Sequence, residues 1–321
     1  MRAVVVTRFG GPEVLEVQDL PAPQPKEGQV LVDVEAAGVN YRDVYERTGA
    51  YGGSAPLVAG VEGAGTVTAV GESVPEFSAG DRVAWSNAPG SYAEQIALDA
   101  MRAVPVPEGI SPDVAAAVLL QGMTAQYLAT STYPVETGDA VLVHAAAGGV
   151  GLLLTQIVKA RGGRVIATTS TEEKAALARA AGADDVIGYD GFAERVRELT
   201  EGAGVAVVYD GVGRATFDES LRSLQRRGTM VLYGAASGPV PPIDPMRLEQ
   251  EGSLFLTRPT LRHYTAERSE LLGLAGRVFG LVADGKLDVR IGGRYTLDEA
   301  SRAHEDLEAR RTTGKLLLQP R

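Results

Sequence analysis

The first hundred residues consist of short apolar runs separated by glycine and proline. The runs with strand character are residues 4–7, 30–34, 65–70 and 82–85. Most are rich in valine and bounded by turn-forming residues, which is typical of β-strands. Prolines within 21–25 and 105–107 exclude helices there, because proline lacks the amide that a helix needs. This part of the chain is therefore predicted to form an all-β, barrel-like module.

A helix is predicted to end this module, and the pattern changes after it. Ser111 suits the N-cap, Pro112 the first helical position and Asp113 the first turn. From residue 139 apolar runs alternate with helical segments such as 152–161 and 171–181, the latter closed by Gly182. The runs are 140–144, 164–169, 185–189, 205–210, 229–234 and 254–257. Continuous apolar strands joined by helices indicate a parallel sheet covered on both faces.

The C-terminal part of the chain departs from this alternation. Helices are predicted at 268–283 and 298–310 and a strand at 315–319. Because these elements do not extend the strand–helix order, we expect them to return to the first module. The predicted fold class is α/β, with a β-rich domain at 1–120 that is completed by 259–321. A Rossmann-type, doubly wound parallel-sheet domain is predicted at 121–258.

Composition excludes several kinds of chemistry. Hydrophobic residues make up 45% and charged residues 22%, as in ordinary soluble proteins. The chain has no cysteine, so disulfides, cysteine-ligated zinc, iron–sulfur clusters and a thiol nucleophile are excluded. The formal net charge of −10 disfavours nucleic acid as a partner. No apolar run approaches the ~18 residues of a membrane span, and the chain starts directly in a strand-like run, so we expect a cytoplasmic protein.

Glycine is abundant, and one glycine-rich turn has the position of a phosphate-binding loop. Glycine accounts for 39 of the 321 residues, whereas its usual share of about 7% would give far fewer. A dinucleotide fingerprint places three glycines between a strand and a helix; here Gly148 and Gly151 supply the second and third, and Ala146 stands in the first place. The predicted strand before and helix after favour a dinucleotide site at the helix N-terminus. The alternative is a close helix–sheet crossing without a ligand.

The end of the next strand indicates which dinucleotide is bound. NAD-specific sites place an acid there, whereas this chain has Thr168, Thr169 and Ser170. Lys174 follows one helical turn later and could pair with a 2′-phosphate. The pattern favours NADP, and the alternative is that Lys174 is an ordinary solvated lysine.

The order of a β-rich module and a Rossmann unit, with the motifs at 39–43 and 60–65, resembles the medium-chain dehydrogenase/reductase superfamily. In its zinc alcohol dehydrogenases the second motif reads G-H-E-x-x-G and the first C-G-x-D. Val61 stands here in place of the histidine ligand, and Asn40 stands near the place of the cysteine. The resemblance therefore implies a branch without metal, which lacks the usual Lewis acid for alcohol oxidation.

The closer resemblance is to the NADPH:quinone oxidoreductase, or zeta-crystallin-like, branch, and it covers essentially the whole chain. Its motifs match residues 39–45, 121–127, 144–151, 210–213, 224–228, 252–259 and 310–315. The resemblance implies a GroES-like first domain and NADPH as the cofactor. It implies contacts to the nicotinamide end of the cofactor from Asn40, Asp43, Tyr45 and Thr124, and to the pyrophosphate from Gly148, Gly149, Val150 and Gly151. The 2′-phosphate would be contacted by Ser170, Lys174 and Tyr189, and the ribose and nicotinamide by Gly213, Tyr233 and Gly234. Arg310, in the C-terminal segment, would close the cofactor cleft.

The activity implied is transfer of reducing equivalents from NADPH to a small-molecule quinone. A quinone that accepts hydride develops phenolate charge, which hydrogen-bond donors stabilise. Asn40, Tyr45 and Tyr51 are candidate catalytic donors because they lie in one loop-rich stretch; the alternative is that the tyrosines only form an amphipathic wall. Two other functions stay open: an NADPH-dependent alkenal or enone reductase, and a non-catalytic NADPH-binding structural protein. One- and two-electron reduction are not distinguished.

Two further expectations concern the histidines and the quaternary structure. His144 ends a strand and is expected to be a satisfied core residue, whereas His263 and His304 are expected at the surface. Residues 253–257 are apolar and last in the predicted sheet. We expect them to form an edge strand that pairs with its twin in a homodimer.

Overall fold

The computed structural model describes residues 1–320 and divides into two compact units. The first unit contains Met1–Met123, Thr265–Gly285 and the residues from Val289 onward, and the second contains Thr124–Tyr264 and Lys286–Asp288. The strands are β1 (Arg2–Val6), β2 (Leu15–Asp19), β3 (Gln29–Val39), β4 (Leu57–Val58), β5 (Gly63–Val70), β6 (Arg82–Trp85), β7 (Gln95–Asp99), β8 (Val104–Pro105), β9 (Ala140–Val143), β10 (Arg164–Thr168), β11 (Asp185–Ile187), β12 (Val205–Asp210), β13 (Leu224–Leu232), β14 (Phe255–Thr257), β15 (Ile291–Thr296) and β16 (Lys315–Gln319). The α-helices are α1 (Tyr41–Arg47), α2 (Pro112–Tyr127), α3 (Gly149–Ala160), α4 (Glu172–Ala180), α5 (Phe192–Leu199), α6 (Phe217–Ser223), α7 (Met246–Gln250), α8 (Arg268–Ala283) and α9 (Ala300–Glu308).

The first unit is built on mixed β-sheet. One sheet has the order β15-β16-β3-β5-β6-β8, with β7 paired to β3, and a second has the order β2-β1-β4. Strand β16 pairs antiparallel with β3, so the C-terminal strand completes the sheet that begins near the N-terminus. Their inward-facing valines and leucines pack around Trp85 and Tyr92, which are fully buried. The prediction of a β-rich first module is confirmed by these sheets, although the module also contains helix α1.

The second unit is a six-stranded sheet in the order β11-β10-β9-β12-β13-β14, and every pairing in it is parallel. All six residues of β12 are buried, which shows that the sheet is covered on both faces, as predicted. The predicted edge position of residues 253–257 is also confirmed, because β14, which lies within that range, is at the end of the strand order.

Several local signals are confirmed in the described residues. The Ser111 hydroxyl accepts a hydrogen bond from the Val114 amide at 3.3 Å at the start of α2. Gly182 has φ +103° after α4, and its amide donates to the Arg179 carbonyl at 2.9 Å. Within residues 1–320, no helix combines the length and the apolar character that a membrane span would need.

Helix α1 is an element that the sequence pattern did not predict. The stretch after Val39 was expected to be rich in loops, but Tyr41–Arg47 is helical. Asn40 has extended backbone angles at its N-cap, and its amide donates to Asp43 Oδ2 at 2.8 Å. The helix has seven residues and only three of them are buried, so its apolar periodicity is too short to recognise.

Candidate functional site

The glycine-rich turn connects β9 to α3 in the second unit. Gly148 is the N-cap of α3, and its amide donates to the Ala145 carbonyl at 2.8 Å. A Cβ on Gly151 would lie 2.4 Å from that carbonyl oxygen and 2.7 Å from Ala146 Cα. Only glycine therefore permits this close packing of the helix against the turn. Residues 148–150 stay partly exposed at the N-terminus of a twelve-residue helix, where free amides and the helix dipole favour an anion.

A buried hydrogen-bond chain holds the ends of the central strands. Asp210 Oδ2 accepts from the hydroxyls of Thr216 at 2.7 Å and Ser220 at 3.2 Å. Burial lowers the pKa of His144, so its ring is neutral. Because Ser220 donates to Asp210, its oxygen accepts from His144 Nε2 at 2.9 Å, and Nδ1 accepts from the Thr168 hydroxyl at 2.8 Å. His144 is thus a satisfied core residue, as expected.

The predicted 2′-phosphate residues follow β10 and β11: Ser170 and Tyr189 lie just after these strands, and Lys174 lies in the first turn of α4. Lys174 Nζ donates to the Ser170 hydroxyl at 3.4 Å, so the structure brings these two side chains together. The Thr171 hydroxyl caps α4 by accepting from the Lys174 amide at 3.3 Å. Tyr189 lies on the neighbouring strand end, and its hydroxyl accepts from the Ala145 amide at 3.1 Å. Tyr189 therefore connects this corner to the glycine-rich turn.

The loops after β12 and β13 pack backbone against backbone. Asp210 Oδ1 accepts from the amides of Val212 at 2.7 Å and Gly213 at 2.9 Å. Gly213 has φ +88°, and a Cβ there would lie 2.8 Å from the Gly238 carbonyl oxygen. A Cβ on Gly234 would lie 2.5 Å from the Gly211 oxygen. The ring of Tyr233 covers Gly211, and the backbone amide of Tyr233 donates to the Asp210 carbonyl at 2.9 Å.

Thr124, the residue predicted to border the nicotinamide, is 8% exposed near the end of α2.

In the first unit, helix α1 presents a row of tyrosine rings. The ring centroids of Tyr41 and Tyr45 are 5.7 Å apart, and those of Tyr45 and Tyr51 are 5.3 Å apart. Tyr51 is 58% exposed, whereas burial and then the charge of Glu308 raise the pKa of Tyr41. The charge of Arg310 opposes that rise. Arg310 itself has a left-handed backbone conformation, with φ +57°. The distance between their rings shows that Tyr45 and Tyr51 are neighbours, although Tyr45 is helical and Tyr51 lies in a loop.

Asn40 lies in a buried polar cluster with Glu62, Gln121 and Lys315. Its Nδ2 donates to Glu62 Oε2 at 2.8 Å and to the Gly38 carbonyl at 3.2 Å. Its Oδ1 accepts from Lys315 Nζ at 2.8 Å and from Gln121 Nε2 at 3.1 Å. Lys315 also forms an ion pair with Glu62, and both side chains are at most 1% exposed. Both hydrogens of the Asn40 amide group thus already have acceptors, and its role as a donor to substrate stays a prediction.

A second buried network starts at Asp43. Its Oδ2 accepts from the Asn40 amide and from the Tyr92 hydroxyl, each at 2.8 Å, whereas Oδ1 has no hydrogen-bond partner among residues 1–320. Burial raises the pKa of Asp43 to about 7. His304 lies behind Tyr92, and burial followed by the charge of Arg47 lowers the pKa of His304 to about 3.

The network corrects the expectation that His304 is a surface residue, because it is fully buried. Arg47 donates to its Nδ1 at 3.2 Å, so the neutral ring carries its proton on Nε2 and donates to the Tyr92 oxygen at 3.2 Å. Helix α9 places His304 on its buried face next to α1, a long-range contact that polar sequence around residue 304 conceals. His263 is exposed, as expected.

The residues present do not fit a zinc ion. Val61 has no ligand atom, and the nearby Glu62 and Asn40 are both bound to the ammonium group of Lys315. Across residues 1–320, no cluster of three or more histidine, cysteine, aspartate or glutamate side chains could hold a metal. The motifs at 60–65 and 310–315 contain Glu62 and Lys315, but the sequence pattern assigns neither residue a role. The available signal was a lysine that opens the apolar strand β16.

Comparison with known proteins agrees with this description. Residues 26–131 match the family model of the alcohol dehydrogenase GroES-like domain, and residues 149–271 match that of zinc-binding dehydrogenases. A quinone oxidoreductase of Pseudomonas aeruginosa is 46% identical, over 97% of both chains. A 2-haloacrylate reductase of a Burkholderia species is 40% identical, over 99% of this chain and 98% of the relative. A mycobacterial protein solved in complex with NADPH is 52% identical, covers 100% of both chains and superimposes with a TM-score of 0.98.

The two units and the glycine-rich turn thus define a medium-chain dehydrogenase/reductase whose zinc ligands are replaced by other residues. Within that class the similarity extends over the full length of the relatives. The chain belongs to the quinone oxidoreductase family.

Proposed function

We propose that this protein is an NADPH-dependent quinone reductase that works without a metal. The observation that carries the proposal is the 46% identity to a quinone oxidoreductase over 97% of both chains, together with a turn shaped for a pyrophosphate. When bound, NADPH supplies hydride, so the protein has to bind and orient the reactants and exclude water.

The residues of the second unit fit a dinucleotide. Residues 148–150 are partly exposed at the N-terminus of α3, where the amides of the first helical turn would hold the pyrophosphate. Ser170, Lys174 and Tyr189 would hold the 2′-phosphate, since Lys174 and Ser170 are already in contact. Gly213, Tyr233 and Gly234 would line the ribose and nicotinamide, where close backbone packing leaves no room for a Cβ. Thr124 would border the nicotinamide.

The residues of the first unit would serve the quinone and the reacting end of the cofactor. Tyr45 and Tyr51 would donate hydrogen bonds to the substrate oxygen on which phenolate charge develops. Asp43 and Asn40 fix the start of α1 on which Tyr45 lies, and Arg310 would close the cofactor cleft from the C-terminal segment. With both amide hydrogens of Asn40 already bonded, we assign the direct donation to the tyrosines first.

The test is turnover with purified protein. NADPH and NADH oxidation are followed with ortho-quinones, para-quinones and enals, and the expected result is turnover of quinones with preference for NADPH. Activity confined to enals would favour the alternative, a reductase of activated carbon–carbon double bonds, which the 2-haloacrylate reductase relative supports. Tight NADPH binding without turnover of any substrate would leave the non-catalytic function.

We also propose a homodimer that forms through β14, because this edge strand carries exposed apolar side chains. The cytoplasmic location expected from the sequence stays a prediction, and cell fractionation would test it.

A further inference from the structure

The ion pair between Lys315 and Glu62 is buried, and stability alone does not account for it. Both side chains are removed from water, at 1% and 0% exposure. Burying two charges costs so much desolvation that replacing such a pair with apolar side chains often leaves stability unchanged or higher. The role of this ion pair is therefore to be found in the groups that it positions.

What the pair holds is the side chain of Asn40. Lys315 Nζ and Gln121 Nε2 donate to Asn40 Oδ1, and Glu62 Oε2 accepts from Asn40 Nδ2. Every hydrogen-bonding position of the Asn40 amide group has a partner once the Gly38 carbonyl is included. A side chain with this set of partners has one orientation.

The backbone is adapted to the cluster. A Cβ on Gly38 would lie 2.4 Å from Glu62 Oε2 and 2.8 Å from Lys315 Nζ, so a glycine at the end of β3 makes room for both charges. The second carboxylate oxygen of Glu62 accepts from the Leu120 amide of α2 at 2.6 Å. The cluster thus joins β3, β16, α2 and the segment before β5 at one point.

The point at which they join is the start of the helix that carries the tyrosines. Asn40 is the N-cap of α1, and its amide donates to Asp43 Oδ2. Tyr45 follows within the helix, and the ring of Tyr51 packs on Tyr45. Fixing Asn40 therefore fixes the direction in which α1 leaves β3, and with it both hydroxyl groups.

We infer that Lys315 and Glu62 are positioning residues for the reduction: their ion pair holds Asn40, and thereby α1, so that Tyr45 and Tyr51 meet the substrate oxygen. The inference rests on the proposed function. Lys315 supplies from the protein itself the cation of this cluster, which gives the zinc-free site a fixed geometry.

The test compares Lys315→Met with the double variant Lys315→Met/Glu62→Gln. The single variant leaves a buried carboxylate without its cation, so its melting temperature falls. The double variant removes that charge and recovers melting temperature, but the glutamine side chain introduced at position 62 sets a donor against either the Leu120 amide or the Asn40 amide. We expect kcat for quinone to fall about 10- to 100-fold in both variants, since small displacements of positioning groups have effects of this size. NADPH affinity, measured by fluorescence titration, should change much less than kcat, because the residues proposed for the pyrophosphate and the 2′-phosphate lie in the second unit.

Leu318→Ala is the matched control. Leu318 is fully buried in the same strand and lies outside the cluster, so its truncation lowers melting temperature without moving Asn40. It should keep the wild-type kcat. Hydrogen–deuterium exchange gives a readout independent of turnover: amides of residues 40–51 should exchange faster in both Lys315 variants and at the wild-type rate in Leu318→Ala.

Three outcomes would overturn the inference: wild-type kcat in Lys315→Met, recovery of kcat together with melting temperature in the double variant, or an equal loss of kcat in Leu318→Ala. If Lys315→Met does not fold, the double variant carries the test. Absence of quinone turnover in the wild-type protein would refute the proposed function instead, and the exchange measurement would still decide whether the cluster holds α1.

Discussion

Asp43 and His304 share the Tyr92 hydroxyl and respond to pH in opposite directions. The pKa of Asp43 is raised from 3.8 to about 7, so in this range the folded protein holds a proton that the unfolded chain has lost, and stability falls as pH rises. The pKa of His304 is lowered from 6.5 to about 3, so the unfolded chain holds the extra proton, and stability rises with pH. Between pH 3.8 and 6.5 the two effects oppose each other.

Replacing either Asp43 or His304 should reveal the pH dependence of stability that the other residue contributes. Asp43→Asn keeps an oxygen for the Asn40 amide and the Tyr92 hydroxyl but removes the titration. Its melting temperature should therefore rise more steeply with pH than that of the wild type between 3.8 and 6.5, because the His304 effect is no longer offset. His304→Gln should show the converse, a melting temperature that falls over the same range. Thermal unfolding across a buffer series measures both, and parallel curves for all three proteins would contradict the assignment.

Lys174 is the residue on which cofactor choice is expected to depend. Its ammonium group lies beside the Ser170 hydroxyl, and a charge-assisted bond to a 2′-phosphate contributes about 1.5–3 kcal/mol. Lys174→Ala should therefore weaken NADPH binding by that amount and leave NADH binding unchanged, as read from cofactor titrations. Lys159→Ala is the control, since Lys159 pairs with Asp184 at 2.8 Å on another part of the surface. An unchanged preference in Lys174→Ala would remove Lys174 from the site.

How well each helix or strand could be predicted from the sequence depended on its length and burial. Residues 82–85, 205–210, 268–283 and 315–319 were predicted with the bounds that the structure shows, because continuous burial or a long amphipathic face leaves a clear pattern. Strand β13 begins at Leu224, five residues before the predicted start, since its exposed residues 225–227 hide the pattern. Helix α1 was missed because its stability comes from a cap and from long-range contacts of Asp43 and Arg47.

Gly151 offers a test of the turn between β9 and α3. A Cβ added by Gly151→Ala would overlap the Ala145 carbonyl at 2.4 Å, so the helix must shift. Such overpacking costs about 1–3 kcal/mol, and the shift should also weaken NADPH binding. Gly276→Ala is the matched control, because this exposed helical glycine of α8 has nothing within 4 Å of the added Cβ and should gain up to about 1 kcal/mol from helix propensity. Denaturant unfolding of both variants checks the pair, and similar effects in both would contradict the close packing.

The candidate site residues of the two units differ in how far the sequence could predict their contacts. The glycine-rich turn and the contact of Lys174 with Ser170 are local, so motif spacing was enough to bring their residues together. In the first unit, the buried cluster joins Asn40 to Lys315 across 275 positions, and the second buried network joins Arg47 to Glu308 across 261. Partners at that separation leave no spacing signal: the pairing of β16 with β3 brings Lys315 to Asn40, and the packing of α9 against α1 brings Glu308 to Arg47.

The edge strand β14 predicts how two copies of the chain assemble. Strand β14 ends the parallel sheet, and its side chains Phe255 and Leu256 are 61% and 36% exposed. An uncovered apolar edge strand is suited to pairing with its copy across a two-fold axis. The double variant Phe255→Asp/Leu256→Asp should therefore sediment as a monomer at concentrations at which the wild type is a dimer, because it buries like charges in the expected interface. Met101→Asp is the control, since Met101 is 54% exposed in the first unit, and it should stay dimeric. A monomeric wild type at micromolar concentration, or a dimeric double variant, would exclude this edge as the interface.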